Sequence, residues 1–231
     1  MLGDMSGLST SIGVLGGTGP AGTAVAARLA SVGYSVVIGS RSAERAEEKA
    51  REIRDAWPNF SLDLRGGTNH DAASRDVIVL ATPWDSAATT AKEHAADLEG
   101  KVVVSMANAL IRVGSEFQPL VPPRGSVAAH VQVAVPRCRV VAALHHLPAK
   151  ELGHLGDPID SDVLICSDDK NALQTVSDIV ERIPGCRPLD SGELSNATAI
   201  EAFTAVLLQL NVRYKTRVAP RLNGIKGDPR K

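Results

Sequence analysis

The sequence predicts an α/β protein, a doubly wound parallel sheet with a smaller C-terminal α/β lobe, and three observations carry that prediction. Short β-branched runs alternate with longer helical patterns from residue 11 to residue 105, the rhythm of successive β-α-β units. The strand candidates, such as Val77-Ile78-Val79-Leu80-Ala81 and Val102-Val103-Val104, are continuous apolar runs, which suits a sheet covered on both faces. Between the first strand and the first helix stands a G-x-G-x-x-G, Gly17-Thr18-Gly19-Pro20-Ala21-Gly22, in the strand-to-helix context that marks a Rossmann-type sheet.

Taken in order, the first strand is Ser11-Ile12-Gly13-Val14-Leu15, and a helix begins at about Pro20, whose missing N–H costs nothing at a first helical position. A strand at 35–38 and a charged helix over 43–57 follow, then strands at 61–64 and 76–81, a helix over 85–96 and a strand at 101–105. The proline-rich stretch 118–123 reads as a surface loop. Beyond it the pattern predicts helices over 126–135 and 168–183, and strands at 139–143, 162–166 and 186–190. The last helix, 195–217, carries Ile200, Phe203, Val206, Leu207 and Leu210 around much of its circumference, as a helix buried between two bodies would. These elements divide the chain into a flexible leader (1–11), a nucleotide-binding domain (12–137) and a smaller C-terminal domain (138–231).

Composition narrows the function. The 231 residues are 44% apolar and carry 25 Lys+Arg against 26 Asp+Glu, a formal charge of -1, which gives no footprint for nucleic acid. No apolar run approaches the ~20 residues that span a bilayer. The first residues lack the charged start and apolar middle of a secretory signal. Cys138, Cys166 and Cys186 form no C-x-x-C pair, so neither a disulfide framework nor a metal site is indicated and the expected compartment is the cytoplasm. Aromatic residues are only 3% of the chain, so a ligand must be held mainly by backbone, small side chains and charge.

The glycine loop supplies such a backbone. Gly17 permits a tight turn, Gly19 lets the chain approach a pyrophosphate, and Gly22 allows close helix-to-strand packing, with the helix N-terminus facing the anion. An NAD-type site would place Asp or Glu at the end of the second strand to hold the ribose 2′-hydroxyl. Here that position reads Gly39-Ser40-Arg41, with Arg45 one helical turn further on. Two guanidinium groups and a hydroxyl suit a 2′-phosphate and predict preference for NADP(H); the alternative is that both arginines are solvated or paired with Glu44 and Glu48. Thr82-Pro83-Trp84 ends the 76–81 strand, where Trp84 either walls the nicotinamide or seals the core edge, and Ser105 to Leu110 lies alongside at the end of the next strand.

Leu15-Gly16-Gly17-Thr18-Gly19, Gly39-Ser40-Arg41, Ala81-Thr82-Pro83-Trp84, Ala143-Leu144-His145-His146-Leu147-Pro148-Ala149 and Arg187 to Asn196 together resemble the F420-dependent NADP reductases, over about residues 12–226. The resemblance implies direct, reversible hydride transfer between NADP(H) and the deazaflavin coenzyme F420, the smaller domain completing the cleft. It implies pyrophosphate contacts from Thr18, Gly19, Pro20 and Ala21, and 2′-phosphate contacts from Ser40, Arg41 and Arg45. It places Trp84, Ala88 and Leu110 on the nicotinamide side, and Leu147 to Ala149 with Asn223, Gly224 and Ile225 beside the deazaflavin. Both rings bring their own chemistry, so no acid–base triad is expected; His145 either orients a ring, with His146, or is structural. The competing readings are an NADPH-dependent flavin or metal reductase and a non-catalytic NADP(H)-sensing protein. A homodimer is the favoured assembly. Residues 213–231 hold Arg213, Lys215, Arg217, Arg221, Lys226, Arg230 and Lys231 against Asp228, a basic segment suited to attract the anionic tail of such a deazaflavin or simply a solvated helix end. Asp157, Asp160 and Asp162 read as a polar turn.

Overall fold

The computed structural model describes residues 10–225; residues 1–9 of the expected leader, and Lys226, Asp228, Arg230 and Lys231, lie outside the described residues. The chain runs β1 (Ser11–Leu15), α1 (Pro20–Ser31), β2 (Ser35–Ser40), α2 (Ala43–Ala56), β3 (Leu64–Thr68), α3 (Asn69–Ala73), β4 (Val77–Leu80), α4 (Trp84–Glu93), α5 (Ala95–Leu98) and β5 (Val102–Ser105). A hairpin of β6 (Leu110–Val113) and β7 (Glu116–Pro119) follows, then α6 (Val127–Ala134), β8 (Arg139–Ala142) and the short α7 (Ala149–Leu152). The rest is a β-α-β unit, β9 (Ser161–Ile165), α8 (Lys170–Glu181) and β10 (Cys186–Asp190), closed by α9 (Ala197–Tyr214).

Local chemistry sets the helix starts. Ser42 Oγ accepts from Arg45 N at 3.2 Å at the start of α2, Asp169 Oδ1 accepts from Ala172 N at 2.8 Å at the start of α8, and Thr68 with Asp71 forms a capping box on α3. By contrast α1 begins at Pro20 behind Gly19 with no side chain on its free N–H groups.

The central sheet has the order β3-β2-β1-β4-β5-β8, and every pairing in it is parallel. The strand order reverses at β1, so the crevice outside the carboxyl ends of β1 and β4 is where a ligand belongs. One half of the core packs α1, α2, α7 and α8 against the sheet; the other packs α3, α4, α6 and α9 against its opposite face. Both faces are covered, as the apolar strands predicted.

Four features differ from the sequence-based expectation. The third strand lies at Leu64–Thr68, past the expected 61–64, because its register on β2 brings Gly66 and Gly67 opposite Ile38 and Gly39; a Cβ on Gly66 would stand 2.0 Å from Glu47 N. The 139–142 strand, expected beyond a boundary at 137/138, pairs with β5 as the sixth strand of the main sheet. The β9–β10 sheet is joined to its edge by an antiparallel bridge between Ala142 and Cys166. Part of the stretch read as a proline-rich loop is β7, ending at Pro119 on an edge where a missing N–H is tolerated. Finally, α9 buries Ile200, Thr204 and Leu207 but leaves Val206 51% and Val212 49% exposed, so it is covered on one side only.

Within α9, the buried Glu201 carboxylate accepts from Val127 N at 2.8 Å and Ala128 N at 3.0 Å, tying α9 to the first turn of α6; burial pushes its pKa up to about 7 against the pull of these donors. Asp162, read as part of a polar turn, is fully buried and accepts from Arg187, Arg221 and Leu222 N. Burial alone would raise its pKa, but the Arg187 guanidinium and these other partners hold it below the usual carboxylate value.

Gly13 lies against α3, where an added Cβ would meet Ala72 O at 1.9 Å. Gly19 has only Gly16 O at 3.5 Å. Gly13→Ala is therefore expected to destabilise by about 3 kcal/mol and lower the Tm by roughly 6–12 °C, whereas Gly19→Ala changes stability by less than about 0.5 kcal/mol; thermal unfolding of the two variants checks this.

Candidate functional site

Two clefts open along the carboxyl edge of the sheet, each about 690 Å³ and sharing Thr82 and Pro83, a size that suits a bound organic ligand. They meet in front of the glycine loop. Gly17 N donates to Gly39 O at 3.2 Å and Gly19 N to Gly16 O at 3.2 Å, which anchors the loop between β1 and β2. The residue in the left-handed region is Gly16, with φ 76°, one position before the expected turn residue. Gly17 is needed for closeness instead: a Cβ there would stand 2.8 Å from Ile38 Cγ2 and 2.9 Å from Val14 O. On Gly22 it would meet Gly16 O at 2.5 Å, so the helix start sits on the strand end as expected. The space before Gly19 is open, and the free N–H groups of the 12-residue α1 point there.

The outer cleft is lined by Gly16, Thr18, Ser40, Arg41, Arg45 and Asn69, among others. Arg41 and Arg45 are exposed, and among the described residues no carboxylate pairs with either; Glu44 is held by Ser42 Oγ at 2.8 Å instead. Two unpaired guanidinium groups on one rim make a site for a dianion. Asn69 Oδ1 is buried there without a hydrogen-bond partner.

The inner cleft is lined by Ala21, Thr82, Trp84, Met106, Asn108, Leu110, His145, Leu147, Ala149, Thr204 and Arg217, with others. Trp84 does both things that the sequence left open, lining the cleft while packing on the core edge. His145 is buried and neither ring nitrogen makes a well-formed hydrogen bond, although the Met106 and Ala107 backbone lies near enough to pull its pKa up slightly; Thr82 Oγ1 is likewise buried and unpaired. Burial, and then the neighbouring His146, push the His145 pKa down to about 3, so it is a neutral imidazole. His146 also lines the cleft, and is fixed there with its Nε2 2.7 Å from Ile200 O and its ring edge-on to Phe203. Asn108 links the two sides of the cleft: its Nδ2 donates to His145 O at 3.2 Å and its Oδ1 accepts from Thr204 Oγ1 at 2.9 Å. Among the described residues, no group of three or more His, Cys, Asp or Glu is placed to hold a metal.

The predicted residues divide accordingly. Thr18, Ser40, Arg41 and Arg45 gather at the outer cleft, and Ala21, Trp84, Leu110, Leu147, Ala149 and His145 at the inner one. Pro20, with Thr18, faces a groove of about 730 Å³ behind α1. Ala88, within α4, packs on the core rather than lining either cleft. Asn223 also lies outside both; its neighbour Leu222 is fixed to Asp162 and Arg187. Of the basic segment, Lys215 and Arg217 line the inner cleft with Lys150. Arg217 reaches Glu151 at 3.3 Å, whereas Arg221 is taken by Asp160 and Asp162. Asn69, Asn108 and Thr204 were not singled out from the sequence. The signal for Thr204 was a polar residue on the stripe of Ile200 and Leu207; for the two asparagines only their positions after strands could have served.

The buried polar atoms without partners test whether a dinucleotide and a second ring would fit. Asn69 Oδ1, Thr82 Oγ1 and both nitrogens of His145 run through the two clefts in sequence, with Gly16 and Thr18 of the glycine loop lining the outer one and Ala21 the inner one. Groups left unsatisfied in a folded protein cost free energy unless a ligand supplies partners.

Residues 11–109 match the family model described as NADP oxidoreductase coenzyme F420-dependent. The F420-dependent NADP reductase of Methanocaldococcus jannaschii is 37% identical over 211 residues, covering 89% of this chain and 94% of that protein. The F420-dependent NADP reductase of Methanothermobacter thermautotrophicus is 33% identical, covering 90% of this chain and 92% of that one. Among solved structures, a candidate F420-dependent NADP reductase from Arthrobacter sp. FB24 superposes with a TM-score of 0.75 at 24% identity, over 92% of this chain and 100% of that chain; it bears on the fold.

The depressed pKa of His145 has a measurable consequence. As pH falls from the unfolded value of 6.5 towards about 3, the unfolded chain takes up a proton that the folded one refuses, so stability is lost. Between about pH 7 and pH 4.5 the protein should lose about 2–3 kcal/mol more than a His145→Asn variant does, as read by urea unfolding at the two pH values.

Proposed function

Because the chain belongs to the F420-dependent NADP reductase family, and is thereby an oxidoreductase of NADP(H) and coenzyme F420, we propose that hydride passes directly between the two where the clefts meet. The nicotinamide and the deazaflavin supply the donor and acceptor carbons. The chain contributes position, a dry wall and charge. The observation that carries the assignment of sites is the line of unpartnered buried atoms from Asn69 through Thr82 to His145, with the glycine loop and the start of α1 lining the same clefts.

In this reading Thr18, Gly19, Pro20 and Ala21 face the pyrophosphate, Thr18 and Ala21 with their N–H groups, and Gly19 and Pro20 with shape only, since the Gly19 N–H is bonded to Gly16 O and Pro20 has none. Ser40, Arg41 and Arg45 hold the 2′-phosphate, where an acidic residue would repel it. Thr82 and Trp84 border the nicotinamide end. Leu110, Leu147 and Ala149 press on the second ring from the far wall, and the neutral His145 offers it one donor and one acceptor without adding charge. Bringing two rings to reacting distance, roughly 3–3.5 Å between carbons, and excluding water is the main catalytic task of such a site. Lys150, Lys215 and Arg217 on the inner rim suit the anionic tail of the deazaflavin; Ala88 and Asn223 are left without a direct role.

The expected homodimer and cytoplasmic location belong to the same reading. The exposed apolar side chains Val206 and Val212 on α9 support the dimer, and no helix among the described residues is long and apolar enough to cross a membrane.

Mixing the purified protein with NADPH and oxidised coenzyme F420 should bleach the deazaflavin's visible absorbance; no bleaching with competent cofactors would sink the reading. Arg41→Ala should weaken NADPH binding by about ten- to a hundredfold while leaving NADH affinity nearly unchanged, since one charge-assisted contact is worth roughly 1.5–3 kcal/mol. Titration of both nucleotides against the variant measures that ratio.

A further inference from the structure

Helix α1 carries one charged residue in the apolar run Ala24-Val25-Ala26-Ala27-Arg28-Leu29-Ala30, and that residue is 1% exposed. Its guanidinium meets no carboxylate at ion-pair distance among the described residues. Instead it donates to four backbone carbonyls across more than a hundred residues of chain: Nε to Leu152 O at 3.0 Å, Nη1 to Asp157 O at 3.2 Å, and Nη2 to Glu151 O at 3.0 Å and His154 O at 2.6 Å. Burying a cation is costly, and an apolar side chain of the same volume would often serve stability as well. What the guanidinium does that no apolar group can is fix several carbonyls at once in a rigid fork.

Those carbonyls belong to α7 and the turn after it. The opposite end of α7 starts at Ala149, directly after Leu147 and Pro148, all of them lining the inner cleft. The single turn is rigid, with Leu152 N bonded to Pro148 O at 2.9 Å and Gly153 N to Ala149 O at 3.0 Å. Gly153 faces α1 at contact distance, where a Cβ would just touch Ala24 Cβ at 3.4 Å. The turn after it is held from a second side by His154 packing edge-on to Trp57 at 5.2 Å. Eight residues before Arg28, α1 begins at Pro20 in the glycine loop, about 12 Å along the helix axis.

We propose that Arg28 is a positioning residue that sets the spacing between the two bound rings. It rests on the function proposed above. One rigid helix presents the pyrophosphate site at its first turn and grips the wall of the second ring at its third, so the two ligands are referred to the same rod. The wall does not have to be aligned through the sheet or through the β9–β10 unit.

The test compares Arg28→Lys with the parent protein in four measurements: NADPH affinity, the Michaelis constant for coenzyme F420, the single-turnover rate of hydride transfer, and amide exchange over residues 149–157. A lysine keeps the charge but offers only three donors from one point and cannot span the four carbonyls. NADPH affinity should stay within about twofold, while the F420 Michaelis constant rises or the transfer rate falls by about tenfold or more, as misplacement of a reacting group demands. Exchange at 149–157 should quicken. Unchanged F420 kinetics, or equal losses of both affinities, would overturn the proposal and leave Arg28 a structural residue. Should the lysine variant not fold, Gly153→Val adds two methyl groups beyond a Cβ already in contact with Ala24, crowding α7 against α1 with the guanidinium intact, and the same split between nucleotide and deazaflavin must appear. If the parent protein itself fails to reduce coenzyme F420, the functional reading falls instead, whereas exchange at 149–157 still reports whether Arg28 holds the turn.

Discussion

Everything at the site depends on main chain lying against main chain at β1. Side chains on Gly13, Gly17 or Gly22 would strike Ala72 O, Val14 O or Gly16 O at well under contact distance, so the strand end, the loop and the first turn of α1 can share one small volume only as bare backbone. That closeness leaves the N–H groups of α1 free at the sheet edge. It also draws α3 onto β1 and β2, where Gly39 meets Ala72, and so places Asn69 beside Ser40 and Arg41. An anion at the outer cleft is then met by the Arg41 and Arg45 guanidinium groups, with the start of α1 adding the smaller contribution of its free N–H groups.

From that anchor the inner cleft is assembled by reach. The end of β4 brings Thr82 and Trp84, the segment after β5 brings Met106 to Leu110, and α9 crosses with Thr204 facing Asn108. The wall of Leu147 to Ala149 comes from the connection after β8, gripped from behind by Arg28. Four separate stretches of chain therefore converge, and Asn108 ties three of them together through His145 O and Thr204 Oγ1.

Much of this was legible in the sequence because it depends on local rules. Continuous β-branched runs gave β1, β2, β4 and β5, and Ser40, Arg41 and Arg45 fell on the outer cleft because a strand end and one helical turn fix their separation. Where local signal was weak, the reading slipped. Gly66 and Gly67 have poor strand propensity and are held in β3 by pairing with β2 and by contact with α2, so a three-residue shift resulted. The β6–β7 hairpin is short and carries a proline, so it looked like a loop. Asp162 resembled an exposed turn because its partners Arg187 and Arg221 lie 25 and 59 residues further on. A single arginine within an alanine-rich helix was a visible anomaly, but nothing near it in sequence named the carbonyls that it serves.

Among the described residues lining the inner cleft there is no aspartate or glutamate, and its buried histidine is uncharged. An oxidised nicotinamide bears a positive charge that the reduced form lacks, so an acidic wall would favour the oxidised partner once bound. A wall without acidic groups, whose charges are instead the rim cations Lys150, Lys215 and Arg217, lends the oxidised form no such support. Any preference for the oxidised nicotinamide must then come from the coenzymes and not from the wall that surrounds them.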